Sequence, residues 1–186
     1  MDFVIVMYII SIVKNTKYIM KISSKEIKSK VTELAKEISV YYRDRAVDEL
    51  CIIVPMNGGV PFAVDLLREI TNPGADQIFI SYVFDERENW NFSGSKPKKN
   101  SSILIIEDIY DTGETLNNLI DYLHEEYSPS DLKIVVMLDK KIKKHNEVEI
   151  GWSGFDVEDT WVYGYGMDDE NGTLRQLSYI SDEKKD

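Results

Sequence analysis

One stretch of this chain concentrates chemistry-bearing side chains. Glu107 and Asp108 follow the apolar run Ile103-Leu104-Ile105-Ile106, a third acid, Asp111, stands three residues on, and Thr112-Gly113-Glu114-Thr115 comes next. The apolar run predicts a buried strand, and Glu114 to Glu126, with Leu116, Leu119, Ile120 and Leu123 on one face, predicts a helix. The first N–H groups of a helix are unsatisfied donors reinforced by the macrodipole. Thr112 and Thr115 add hydroxyls there and Gly113 lets an anion approach the backbone, which makes an anion cradle. Glu107 and Asp108 can accept from a vicinal diol, or hold a magnesium ion directly or through its waters. The plainer use of Asp111 or Thr112 would be to cap the helix.

The elements that must position these groups follow from apolar period. Ser23 with Glu26 is a capping box ahead of Ile27, Val31, Leu34, Ala35, Ile38 and Tyr42 at helical spacing. Leu50 to Val54 reads as a strand buried on both faces. Met56-Asn57-Gly58-Gly59 is a turn, and Val60-Pro61 opens a helix carrying Phe62, Leu66, Leu67 and Ile70. Ile78 to Phe84 and Lys133 to Leu138 are further strands. The polar stretch from Asp85 to Ser101 has no period and is expected to be a long functional loop, and Glu107 to Gly113 a shorter one. Strands alternating with helices predict an α/β fold, a twisted parallel β-sheet flanked by helices, with ligands beyond the carboxyl ends of the strands. Val148 to Ile180, rich in aromatics, glycine and acids, reads as a small appended lobe. The cluster Lys140, Lys141, Lys143, Lys144 would ordinarily be a solvated face.

Composition limits the function. The 186 residues allow one domain, and 43% apolar with 30% charged residues exclude disorder. Lys and Arg number 22 against 33 Asp and Glu, a net charge of −11, which argues against nucleic-acid and anionic-membrane partners. A polyphosphate would then have to be held by a metal ion or by backbone N–H groups. The single Cys51 excludes an intramolecular disulfide and fits a reducing cytoplasm. The apolar run Phe3 to Val13 is too short to span a bilayer, and its charges, Asp2 before and Lys14 and Lys17 after, are not those of a secretory signal. Residues 1–19 are therefore expected to be an N-terminal extension or an overlong start.

The constellation of strand, two acids, third acid and Thr-Gly-x-Thr resembles the phosphoribosyl-diphosphate motif of the type I phosphoribosyltransferases, and the rest of the chain resembles their hypoxanthine-guanine branch. The Gly-Gly turn precedes Phe62-Ala63-Val64-Asp65-Leu66-Leu67, Ser81-Tyr82 matches the start of the branch's mobile loop, and Trp161-Val162-Tyr163-Gly164-Tyr165-Gly166-Met167-Asp168 looks like its base-binding hood. The resemblance implies one transferase domain over residues 20–180, a hood over about 148–180 and a charged tail at 181–186. It implies transfer of a 5-phosphoribosyl group to a 6-oxopurine, hypoxanthine or guanine, by a magnesium-dependent salvage enzyme that forms dimers or tetramers. Asp111 would be the general base. Glu107 and Asp108 would hold the ribose hydroxyls, Thr112, Gly113, Glu114 and Thr115 the 5-phosphate, and Asn57, Gly58 and Gly59 the diphosphate, with Arg175 a second diphosphate contact. Lys140 would donate to the 6-oxo group, Trp161 would stack on the purine, and the Val162 backbone or Asp168 would accept from a 2-amino group. Asp168, Glu107 and Asp108 are the metal candidates, and Asp85 to Ser101 would close over the site. Asn57 lacks the positive charge common in the diphosphate turn, and Glu114 is expected to point away from the phosphate. A sensor of phosphoribosyl diphosphate without turnover, or a transferase preferring xanthine, is the alternative. Tyr41, Tyr42 and Trp90 are interface candidates.

Overall fold

The computed structural model describes residues 20–45, 47–70, 75, 77–85 and 90–183, so the expectation for residues 1–19 lies outside the described residues. A six-stranded sheet has the order β4-β3-β2-β5-β6-β7. Its strands are β2 (Glu49–Pro55), β3 (Gln77–Asp85), β4 (Trp90–Gly94), β5 (Ser102–Tyr110), β6 (Asp131–Lys140) and β7 (Trp152–Val157). All neighbouring pairs are parallel except β3 with β4. The expected α/β architecture is therefore present, as a mixed rather than all-parallel sheet.

Alternation along the strands divides the core. Leu50, Ile52, Val54, Leu104 and Ile106 face α1 (Ser24–Arg43) and α2 (Gly59–Glu69), together with Ile27, Val31, Leu34, Ile38, Phe62 and Leu66. Cys51, Ile53, Ile103 and Ile105 face Leu116, Leu119 and Leu123 of α3 (Glu114–Tyr127). Burying both faces removes the apolar side chains of the central strands from water, which is why these runs are continuously apolar. The capping box of α1 forms as expected: Glu26 N donates to Ser23 Oγ at 3.3 Å and Ser23 N to Glu26 Oε2 at 2.8 Å.

Four expectations about the strands and α1 need correction. Trp90–Gly94, inside the stretch expected to be a loop, is a strand antiparallel to β3; its Trp90 and Phe92 pack on the α3 side, so a short period-2 pattern was hidden among polar neighbours. Glu107 and Asp108 lie within β5 rather than in a loop, because the ladder with β6 runs on to Tyr110. Trp152–Val157, expected in the appended lobe, is the parallel edge strand beside β6. Tyr42 is fully buried and Tyr41 stacks edge-on against it and Trp152, so Tyr42 offers no surface to a partner.

The hood is fastened by a two-stranded ribbon of β1 (Lys21–Ile22) with β8 (Ile180–Ser181). Ser181 and Asp182, expected to open a charged tail, are instead buried against Met20. Among the described residues, no helix is long and apolar enough to cross a membrane.

Candidate active site

The carboxyl end of β5 delivers the acids. Glu107 and Asp108 are both buried, each folded back on the chain: Asp108 N donates to Glu107 Oε1 at 3.0 Å and Ile109 N to Asp108 Oδ1 at 2.9 Å. Burial first, and then the charge of adjacent Asp108, push the Glu107 carboxyl well above the usual carboxylate range. Two buried carboxyls side by side repel, and that repulsion is relieved by hydroxyl donors or by a cation.

Beyond Tyr110 the chain turns through Asp111-Thr112-Gly113 into α3. Gly113, at φ +87°, takes a left-handed conformation unfavourable for other residues, and a Cβ there would run into the carbonyl of Asn146. The N-terminus of α3 has no side-chain cap from residue 113, so its first N–H groups face the cleft without a competing carboxylate at that position. Thr112 Oγ1 makes only a long contact, 3.5 Å, with Glu114 N.

The opposite wall is the turn from β2 into α2. A Cβ on Gly58 would collide with the Asp108 carboxylate, so only glycine lets the acid lie against this backbone. Asn57, Gly58, Glu107, Asp108, Asp111, Thr112, Gly113, Glu114, Thr115 and Arg175 line one cleft of about 280 Å³. Ten of the expected site residues, separated by over a hundred positions in sequence, therefore meet in one place. Gly59 stands behind this lining, against the Ile106 carbonyl.

Of the remaining expected residues, Lys140 and Asp168 join the cleft through ion pairs with Asp111 and Arg175, whereas Trp161 lines a separate cavity with Thr160, Tyr163 and Leu174. Lys140 is the last residue of β6 rather than a position past it; its ammonium, with the side chain 9% exposed, pairs with Asp111 Oδ2 at 2.7 Å. Asp168 binds Arg175 Nη2 through Oδ2 at 2.6 Å, while Arg175 Nη1 donates to the Gly166 carbonyl at 2.7 Å. Trp161 is 58% exposed and donates Nε1 to the Asp168 carbonyl at 3.0 Å, so it is not a core aromatic. Val162 is buried in the first core cluster, which fixes the backbone between Trp161 and Tyr163.

A magnesium site can be tested against these donors. Among the described residues, no three or more His, Cys, Asp or Glu side chains gather closely enough to hold a metal, and Asp168 is neutralised by Arg175. The adjoining carboxyls of Glu107 and Asp108 nevertheless fit magnesium's habit of binding one or two carboxylates and taking its other ligands from water and substrate phosphates.

Sequence reasoning missed the support beneath the Asp111 loop. Tyr110 Oη accepts from Val148 N at 3.0 Å and donates to the Asn146 carbonyl at 3.2 Å, and the Thr112 carbonyl accepts from the N–H groups of His145 and Asn146 at 3.0 and 3.3 Å. Lys144, expected on a solvated face, is half-buried, its ammonium held among the ends of β5 and β6. The only signal available was a lysine four residues past Lys140 in an acidic chain.

Comparison with known proteins agrees with this geometry. Residues 23–170 match the family model of the phosphoribosyl transferase domain. The chain is 30% identical over 165 residues to the hypoxanthine phosphoribosyltransferase of Haemophilus influenzae, covering 86% of this chain and 91% of that protein. It is 33% identical over 152 residues to the hypoxanthine-guanine-xanthine phosphoribosyltransferase of Tritrichomonas foetus, covering 78% of this chain and 81% of that one. Among solved structures it is similar to a hypoxanthine-guanine-xanthine phosphoribosyltransferase, with a TM-score of 0.77 and 29% identity over 91% of this chain and 98% of the other. A hypoxanthine-guanine phosphoribosyltransferase of Bacillus anthracis gives a TM-score of 0.75 at 26% identity over 89% and 99%.

Proposed function

The chain belongs to the type I phosphoribosyltransferase family, in its hypoxanthine-guanine branch, and from that membership we propose how its own residues carry out purine salvage. The reaction moves the 5-phosphoribosyl group of phosphoribosyl diphosphate to a ring nitrogen of a 6-oxopurine. The bond from C1′ to the diphosphate oxygen breaks, a C1′–N bond forms, and the proton on the incoming nitrogen passes to the protein. The observation that carries this reading is the single cleft in which the α3 N-terminus, the two buried acids, Asp111 and the glycine turn of α2 converge.

The 5-phosphate fits the N–H groups and hydroxyls of Thr112 to Thr115, and the diphosphate the turn of Asn57 and Gly58, with Arg175 the cation in the cleft lining and Gly59 supporting the turn from behind. Glu107 and Asp108 accept from the ribose hydroxyls. Glu107 and Asp108 are also the residues that would hold magnesium, which when bound would supply the positive charge that Asn57 lacks. Asp168, paired with Arg175, would serve the base side.

Lys140 and Asp111 work as a pair. With no base bound, each neutralises the other at 2.7 Å. An ammonium has three donors, so Lys140 keeps Asp111 while a second N–H goes to the 6-oxo group. A 6-amino group, itself a donor, leaves that N–H unpaired, which selects against adenine. Asp111, within reach of the reacting edge, takes the proton. Trp161 gives the exposed ring face on which the purine stacks, and the Val162 backbone the edge contact. The buried Cys51 thiol supports a reducing, cytoplasmic setting, and assembly into dimers or tetramers is the expected state.

The decisive assay supplies magnesium, phosphoribosyl diphosphate and one base at a time, and follows nucleotide formation by ultraviolet absorbance. Hypoxanthine and guanine turn over and adenine does not; xanthine is included because the Tritrichomonas relative is named for it. Asp111→Asn lowers kcat by about 10²–10⁴-fold while calorimetric binding of phosphoribosyl diphosphate persists. Sugar binding without turnover of any oxopurine would instead identify a sensor.

A further inference from the structure

Lys144 has no part in the reaction above, yet its side chain is only 10% exposed. Its ammonium donates to the Lys140 carbonyl at 2.6 Å, to the Tyr110 carbonyl at 2.9 Å and to Asp139 Oδ1 at 3.1 Å, and lies 4.0 Å from the centroid of the Tyr110 ring. All three donors of the ammonium are thus used. Two of the acceptors are backbone carbonyls on different strands, one immediately before Asp111 and one belonging to Lys140 itself. The β5–β6 ladder ends with Tyr110 opposite Asp139, so Lys144 joins the two strand tips where the backbone ladder stops.

Ordering a long, strongly hydrated side chain away from water is costly, and a solvated lysine does not adopt such a site. What the arrangement fixes is the separation of two neighbouring residues that share a proton-transfer site. We infer that Lys144 is a positioning residue, whose clamp on the Tyr110 and Lys140 carbonyls holds the Asp111 carboxylate and the Lys140 ammonium at the spacing that receives the base. This rests on the function proposed above. The rival explanation is an ordinary ion pair with Asp139, which also binds Lys141 at 2.8 Å.

The test is a double-mutant cycle on the full chain with hypoxanthine as the varied base. Lys144→Met, or Lys144→Gln if the first does not give the native circular dichroism spectrum, lowers kcat by about 10–100-fold in the otherwise natural protein, as expected for a small misplacement of reacting groups. With Asp111 already changed to Asn, the same substitution costs less than about threefold, because one of the two charges whose spacing the clamp sets is gone. Asp139→Asn leaves kcat within about twofold, since the carbonyl clamp survives. An equal factor lost in both backgrounds, as general destabilisation would give, overturns the inference. So does a loss in Asp139→Asn matching that of Lys144→Met. Absence of turnover in the unsubstituted protein would count against the proposed function, a result the cycle separates from failure of the clamp.

Discussion

Glu107 shows how a residue's environment sets its chemistry. Its burial, and then its neighbour Asp108, raise its carboxyl, so the folded protein holds that proton more tightly than the unfolded chain, whose reference value is 4.5. The contribution of Glu107 to stability is therefore complete below 4.5 and fades as the pH rises through the raised folded value. Glu107→Gln keeps the acceptor for Asp108 N and removes the charge. In protein free of ligand and metal, the variant is expected to melt above the unsubstituted chain at pH 8, with the gap shrinking as pH approaches 4.5, checked by melting temperature across that range. A gap that widens on acidification would contradict the stated cause. By the same logic, in the proposed function hydroxyl donors or magnesium would offset the repulsion of the acid pair, so that ligand binding and relief of an unfavourable pair would be one event.

The loop from β5 into α3 is a unit whose geometry depends on Gly113. Gly113→Ala puts a methyl group against the Asn146 carbonyl and places a residue with a side chain at φ +87°. A left-handed alanine costs about 1–2 kcal/mol, and for a chain of this size about 1 kcal/mol is roughly 2–4 °C in Tm. The expected result is a melting point lower by about 4 °C or more and a KM for phosphoribosyl diphosphate raised about tenfold, with the KM for hypoxanthine little changed. This loop was legible in the sequence because an anion cradle needs a glycine and hydroxyls at a helix start, and those residues stand out. The strand ahead of it was less legible: Glu107 and Asp108 break the apolar pattern and so mark the end of a strand that in fact continues to Tyr110. Trp90–Gly94 was hidden for the opposite reason, a strand too short for its alternation to register among polar neighbours. The clamp of Lys144 left almost no trace, since solvated and buried lysines look alike in sequence until the strand ends around them are placed.

At the scale of the whole molecule, the order of helices and strands predicts the sheet, but the hood's attachment depends on contacts between the two ends of the described chain, which local patterning does not carry. Asp182 is the fastening. Its Oδ1 accepts from Met20 N at 2.8 Å, its Oδ2 from Thr160 Oγ1 at 3.2 Å, and its own N–H donates to the Met20 carbonyl at 3.2 Å. The residue after Thr160 is Trp161, and Tyr163 bridges to Ser181, so the latch sits beside the segment proposed to stack on the base. The sugar-phosphate cleft is instead built on β5, α2 and α3, with Arg175 the hood's contribution. Asp182→Ala leaves the part-buried Met20 N–H and Thr160 hydroxyl without their carboxylate, a loss of about 1–3 kcal/mol by the usual worth of hydrogen bonds to a charged group. Because that loss falls on the hood, the KM for hypoxanthine is expected to rise about three- to tenfold while the calorimetric Kd for phosphoribosyl diphosphate with magnesium changes less than about twofold. Equal weakening of both would mean that hood and sheet respond as one rigid body, transmitted through Arg175 and through Gly166, which lies against the Gly58 carbonyl. The unequal outcome follows if the latch bears on residues 160–163 first, while Tyr165 and Met167, packed in the same core cluster as the sheet, keep the rest of the hood and the cleft in place.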